Sequence, residues 1–351
     1  MRTSLACGSV INNVPPSHLN GNTVSTINSR LLAAAEAADA TKLRANQELS
    51  FLGGKLVGVG LSMPRERALS LISLDATNGR VLRPYLGGEE VNTSASATPD
   101  RYMIDFSDLS LEEARQWPSL LEIVEREVRP AREKDKRGTY KTYWWRPGES
   151  GRSLYRALGA RKRCLVACVV TKHLVFSFQS TDCFFAQTLC IFPFDHFSPF
   201  AVLQSRIHER WARLLSSTME DRLRYAASDC FETFPFPSVD PRSAHPALEA
   251  AGEMLYRARA VYMLGEQVGL TKTYNALKEP AITEPRVVHL RALHEALDAA
   301  VLAAYGWSDI AVPPFCVASA ADRRALDLFE SQVLARLVAL NAARAAAERR
   351  S

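Results

Sequence analysis

Residues 229–241, DCFETFPFPSVDP, place Phe231, Phe234 and Phe236 among Pro235, Pro237 and Pro241. Proline lacks a backbone donor, fixes φ and pushes its predecessor out of the helical region. The stretch is therefore neither a helix interior nor a central strand. It divides the chain into two characters. From 51 to 237 strand-like and helix-like patterns alternate. From 238 to 351 the segments 246–272, 285–305 and 320–348 are rich in Ala, Leu and Arg at helical spacing. Leu290, Leu293, Leu297, Val301 and Ala304 make one apolar stripe, and Leu326, Phe329, Val333, Leu337 and Leu340 another. The fold class is α+β: a mixed α/β part, then an all-α C-terminal part built as a small bundle. Extended Phe-Pro-Phe-Pro alternates its faces, so Phe234 and Phe236 share one side. The stretch reads as a stiff, buried strap between the two parts.

Upstream of the strap, a helix is expected from about Pro64, with proline near its first position. RYMIDF (101–106) alternates like a strand, and Ser110 with Glu113 forms a capping box that opens the next helix. RCLVACVV and HLVFSF, parted by Thr171 and Lys172, read as paired strands, and QTLCIFPF as another. Phe200, Leu203, Ile207, Trp211 and Leu214 step by three and four, which predicts one amphipathic helix over 198–216. Residues 1–50 read as an arm or linker, with a short strand in GNTVSTINSRL and a polar helix or linker in LLAAAEAADATKLRAN.

The totals exclude some classes. The chain has 351 residues, 47% hydrophobic and 23% charged, and no apolar run nears the ~18 residues that span a membrane. Seven cysteines form no Cys-x-x-Cys pair, which leaves zinc-ribbon and redox readings unsupported and fits buried thiols in a reducing cytoplasm. No His-Glu-x-x-His is present, and no metal site is expected. The glycines at 53, 54, 58 and 60 are not a phosphate loop: Leu56 stands where a P-loop needs Ser or Thr, and Met63 where a dinucleotide loop needs glycine.

Net charge is +5, but its distribution says more. Residues 126–172 hold fourteen Lys/Arg against four Asp/Glu, so this block alone carries +10. Arg and Lys are interleaved there with Tyr140, Tyr143, Trp144, Trp145 and Tyr155, a pattern suited to phosphates and stacked bases. Arg137, Lys141, Arg146, Lys172 and His173 are the phosphate-binding candidates, whereas Trp144 and Trp145 are expected in the core. Further on, Glu220, Arg222 and Arg224 alternate and would point one way in an extended segment. Arg reads guanine and Glu reads cytosine. Taken alone, the same three residues make a solvated ion-paired face.

In their common order the motifs resemble the C-terminal half of MmeI-like (type IIL) restriction–modification enzymes and related large adenine methyltransferases. The matching strings are VSTINSRL, FLGGKLVGVGLSMPRERA, VLRPYLGGEEVN, RYMIDFSDLSLEEARQWPSL, VRPAREKDKRGTYKTYWWRPGE, TKHLVFSF, LQSRIHERW, DRLRYAASDCFETFPFP, GLTKTYNAL and LRALHEALDAAVLAAYGW. The resemblance implies a target recognition domain over 51–237, a helical domain over 238–351 that helps clamp duplex DNA, and an arm over 1–50 leading from a methyltransferase domain. It singles out Glu220, Arg222 and Arg224 as base-reading residues. The family's methyltransferase binds S-adenosylmethionine and flips an adenine. Its Asn/Asp-Pro-Pro-Tyr/Phe motif has no counterpart here, because Val14 interrupts NNVPPS. The expectation is a DNA recognition module of a restriction–modification (phage defence) system, with no catalytic residues of its own and with duplex DNA and a methyltransferase domain or subunit as partners. Two other readings stay open: a protein-interaction module with incidental DNA binding, and a chain with full methyltransferase activity.

Overall fold

The computed structural model describes residues 40–219 and 222–350, together with the short antiparallel strands Ser17–Leu19 and Asn22–Val24. The second of these strands lies in the stretch expected to hold one. Met1–Thr41 and Lys42–Ser351 are separate units. The second unit holds the larger sheets and the long helices. The helix-or-linker expected after residue 31 falls partly outside the described residues. Its end, Arg44–Asn46, is a single 3-10 turn with Asn46 buried.

Two four-stranded sheets organise the mixed part. In the first, Leu82–Leu86 is flanked by Phe184–Phe185, running parallel, and by Arg101–Ile104, running antiparallel, with Ser62–Pro64 at the far edge. The helix Arg65–Leu74 begins directly after Pro64. In the second sheet the order is Phe51–Leu52, Leu189–Phe192, Arg163–Cys168 and Phe176–Ser180, all antiparallel. The expected strand pair is thus present, and Arg163–Cys168 is its buried centre. A third, small sheet orders Ser217–Met219, Arg222–Arg224 and Val170–Thr171.

The capping box forms: the Ser110 side chain accepts from Glu113 N, while Glu113 accepts from Ser110 N at 2.7 Å. Trp144 and Trp145 are buried edge to face, 5.9 Å between centroids, in the core beneath the first sheet. The helix expected over 198–216 is two helices, Phe197–Gln204 and Arg206–Leu215. Ser205 breaks it: its backbone is extended and its side chain caps the second helix through His208 N. The 246–272 segment is likewise two helices, Pro246–Glu266 and Leu270–Lys278, parted at left-handed Gln267. Pro285–Ala304 and Ala320–Arg350 complete the helical part.

The Phe-Pro strap is buried. Phe231, Phe234 and Phe236 are almost fully shielded and pack on one another and on His208, Trp211 and Phe192. Prolines and irregular backbone leave its carbonyls without a ladder, and side chains add donors to the few backbone N–H groups that reach them. Asn46 Nδ2 donates to Phe231 O at 3.0 Å, Glu232 O at 3.2 Å and Phe234 O at 2.7 Å. Asn341 donates to Thr233 O, the Tyr305 hydroxyl to Pro235 O, and Arg344 to Pro237 O. The strap thus joins both parts of one compact unit by contacts made residue by residue.

Candidate nucleic-acid interface

A cleft of about 850 Å³ opens where five segments converge: the helix Gly88–Thr93 with Arg101 beside it, the segment 168–172, the turn at 186–188, the strand Arg222–Arg224, and the start of the helix Leu270–Lys278. Close backbone approach builds its walls. A Cβ on Gly269 would lie 2.3 Å from the carbonyl carbon of Thr93, so only glycine lets those two helix ends meet. A Cβ on Gly53 would lie 2.1 Å from Ala186 O. That contact seats the 186–188 turn and leaves the Gly53–Gly54 backbone packed on protein.

The strand Arg222–Arg224 reproduces the alternation read from the sequence. Leu223 is fully buried, and Arg222 and Arg224 are exposed on the other face. Neither arginine has an ion pair among the described residues, and Arg222 lines the cleft. Leu223 pairs with Thr171 and Arg224 with Val170, which brings Lys172 alongside. Lys172 is exposed and lines the same cleft. Glu220 lies outside the described residues.

The remaining phosphate candidates go elsewhere. His173 is buried; its Nε2 meets Asn275 Oδ1 at 2.9 Å, and burial lowers its pKa, so it ties the turn to a helix and offers no exposed cation. Arg146 is spent on a carbonyl: Nε and Nη2 both donate to Leu109 O, at 3.0 and 2.7 Å. Arg137 is exposed but forked onto Asp135, at 3.0 and 2.8 Å, and lies over Tyr140. That pairing holds the Asp135 carboxyl well below the usual range. Lys141 is exposed and unpaired among the described residues, on the short helix Gly138–Thr142 and not in the cleft.

The basic block is therefore less available than its count implies. Arg129 pairs with Glu125 and Glu133. Arg132 is buried and donates to Leu56 O, Val57 O and Arg146 O, supporting the left-handed Val57. Lys134, Lys136 and Lys141 remain exposed without ion pairs among the described residues. Sequence reasoning missed the cleft's polar lining, notably Asn92, Gln187, Thr188 and Thr271, and also Arg101, which pairs with Glu90 at 3.0 Å and lies over Tyr85. The PYLGGEE string was visible in the sequence, but nothing local links it to 186–188 or to 271.

Among the described residues no group of His, Cys, Asp and Glu could hold a metal ion, and no helix is long and apolar enough to cross a membrane. Cys164, Cys168, Cys183, Cys190 and Cys230 are free and buried. Burial pushes the Cys183 thiol up to about 11 and that of Cys190 to about 12.

Three comparisons bear on this architecture. The sequence profile of the family described as "MmeI, target recognition domain" matches residues 38–238. DNA methyltransferase A of Bacillus subtilis (strain 168) is 31% identical over 105 residues, 30% of this chain and 10% of that protein. A solved structure of the type IIL restriction-modification enzyme MmeI in complex with DNA superposes with a TM-score of 0.64 at 17% identity, over 90% of this chain and 39% of that one. This chain thus spans well under half the length of either relative, and the superposition extends the shared fold past residue 238.

Proposed function

Because the chain belongs to the family of MmeI target recognition domains, we propose that it reads a short sequence in duplex DNA and so selects an adenine-containing site for methylation within a restriction–modification system that acts in phage defence. The observation that carries this is the strand Arg222–Arg224, whose two arginines are exposed on one face without an ion pair among the described residues; Arg222 lines the cleft, and the strand lies inside the residues matched by the family. Arginine is suited to guanine through its two parallel donors. Lys172 beside the strand, and Lys141 apart from it, are exposed point charges without ion pairs among the described residues and are suited to phosphates. Two named relatives, a DNA methyltransferase and an enzyme solved with DNA, support the same reading. The methyl donor would be S-adenosylmethionine, bound by the methyltransferase domain or subunit that the module serves.

The test is binding of labelled duplexes by the full chain, with a randomised library to find the preferred site. Steep salt dependence is expected. Arg222→Ala should relax preference at one base pair, at a cost of about 1–3 kcal/mol on the preferred site. Lys172→Ala and Lys141→Ala should weaken all sequences alike. No duplex binding at low salt would refute the proposal, and a uniform loss in Arg222→Ala would refute the base-reading assignment.

A further inference from the structure

A second cleft, of about 310 Å³, lies where the helix Arg206–Leu215 meets the end of Leu270–Lys278 and the first turns of Ala320–Arg350. Arg206, Arg210 and Arg213 stand at i, i+4 and i+7, so they share one helix face. Lys278 comes from the second helix and Arg323 from the third. Only two carboxylates, Glu209 and Glu330, line the cleft with them.

The charges do not balance. Arg206 is committed elsewhere, to Asp298 at 2.6 Å and to the carbonyls of Pro313 and Pro314. Glu209 is shared by Arg213, at 2.7 Å, and Lys278, at 3.7 Å. Glu330 approaches Arg210 Nε at 3.2 Å but out of line with its N–H, which is buried and finds no hydrogen-bond acceptor. Arg323 is exposed and has no ion pair among the described residues. Four cations from three helices thus converge on two carboxylates, and one of those is poorly placed. Burial also raises the Glu330 carboxyl above the usual carboxylate range.

We propose that this cleft binds a phosphate group, held by Arg210, Arg213, Lys278 and Arg323, with Glu330 as the side chain it displaces from Arg210. Guanidinium forks and an ammonium converging from several directions suit a multiply charged tetrahedral oxyanion better than a planar carboxylate. Arg213 Nη2 also donates to Lys172 O at 3.4 Å, so the cleft backs onto the turn that lines the first one. A backbone phosphate of a duplex extending past the first cleft is one source, and free phosphate is the other. The site is separate from the base-reading strand and goes beyond the proposed function.

The experiment uses the full chain with Arg323→Gln, Arg210→Gln and Glu330→Gln. Duplex affinity is measured by anisotropy across a salt series, and melting is followed with inorganic phosphate against chloride of equal ionic strength. If the ligand is the duplex, Arg323→Gln lowers the slope of log K on log salt by about one without altering sequence preference, and Glu330→Gln tightens binding. If it is free phosphate, the slope is unchanged. Phosphate then raises the melting temperature of the wild type, more so in Glu330→Gln, and the rise is lost in both arginine variants. Arg323 is exposed, so its loss does not threaten the fold. Failure of both arms overturns the proposal. A wild type that binds no duplex sinks the recognition reading, while the phosphate arm still decides this cleft.

Discussion

Asn46→Ala and Asn46→Asp should destabilise the protein to different extents, in an order that side-chain size does not predict. Asn46 Nδ2 carries two hydrogens and serves three carbonyls of the Phe-Pro strap. Each carbonyl keeps another donor when Asn46 is removed: Phe231 O has Phe234 N, Glu232 O has Leu43 N, and Phe234 O has Phe236 N. Alanine therefore loses hydrogen bonds without orphaning an acceptor. At about 1 kcal/mol for each donated hydrogen, the cost is about 2 kcal/mol. Aspartate keeps the shape but turns a carboxylate towards three carbonyl oxygens. A buried, unpaired charge costs about 3–5 kcal/mol. The alternative is protonation, which raises the folded-state pKa above the unfolded ~3.9. The folded state then binds more protons, so the stability of Asn46→Asp relative to Asn46→Ala falls as pH rises past that unfolded value. Urea unfolding of both variants at pH 5 and pH 7.5 reads the difference as a shift in midpoint at constant m. If Asn46→Asp equals or exceeds Asn46→Ala in stability at pH 7.5, the strap is not held in the way described.

Three further outcomes are expected. Arg206→Ala should cost about 3–5 kcal/mol, because it leaves Asp298 buried without its 2.6 Å partner, and adding Asp298→Asn should restore part of that loss in a double-mutant cycle. His208 is fully buried against Phe234 and the Tyr225 hydroxyl, and burial lowers its pKa to about 3. Its folded pKa is below the unfolded ~6.5, so its contribution is complete above that value and erodes as pH falls towards 3. Wild type should lose about 2 kcal/mol through this residue between pH 7.5 and 5, and His208→Gln should show a shallower decline in urea midpoint over that range. The five buried thiols should resist a maleimide at pH 7.5 in native buffer and react together in urea, and prompt native labelling of Cys190 would contradict its burial.

What was legible in the sequence was mostly local. The capping box at Ser110, the paired strands on either side of Thr171–Lys172 and the helical stripes at 290–301 and 329–337 depend on residues a few positions apart. The break at Ser205 was missed because the apolar steps of three and four run through it in phase. Its signal was Ser205 itself, a good N-cap three residues before His208. The basic block misled by number: its charge is real, but Arg129, Arg132, Arg137 and Arg146 are engaged by carboxylates or carbonyls that counting does not assign. The burial of Asn46 had no local signature, since its partners lie about 185 residues away. Alternation gave the two arginines of the strand their shared face, but it was the resemblance that singled them out. The cleft beside them was not legible, because five segments distant in sequence make its walls.

The alternation at Arg222, Leu223 and Arg224 also bears on how this protein can change over generations. Leu223 holds the strand to the body, whereas its neighbours are exposed and form no ion pair among the described residues. Substitutions at such exposed positions usually shift stability by no more than ~0.5 kcal/mol. Drift at 222 and 224 is therefore nearly invisible to selection for folding, while drift at 223 is not. One strand presents a fixed anchor and a changeable surface at a spacing of one residue, so single substitutions on that surface leave the chain folded.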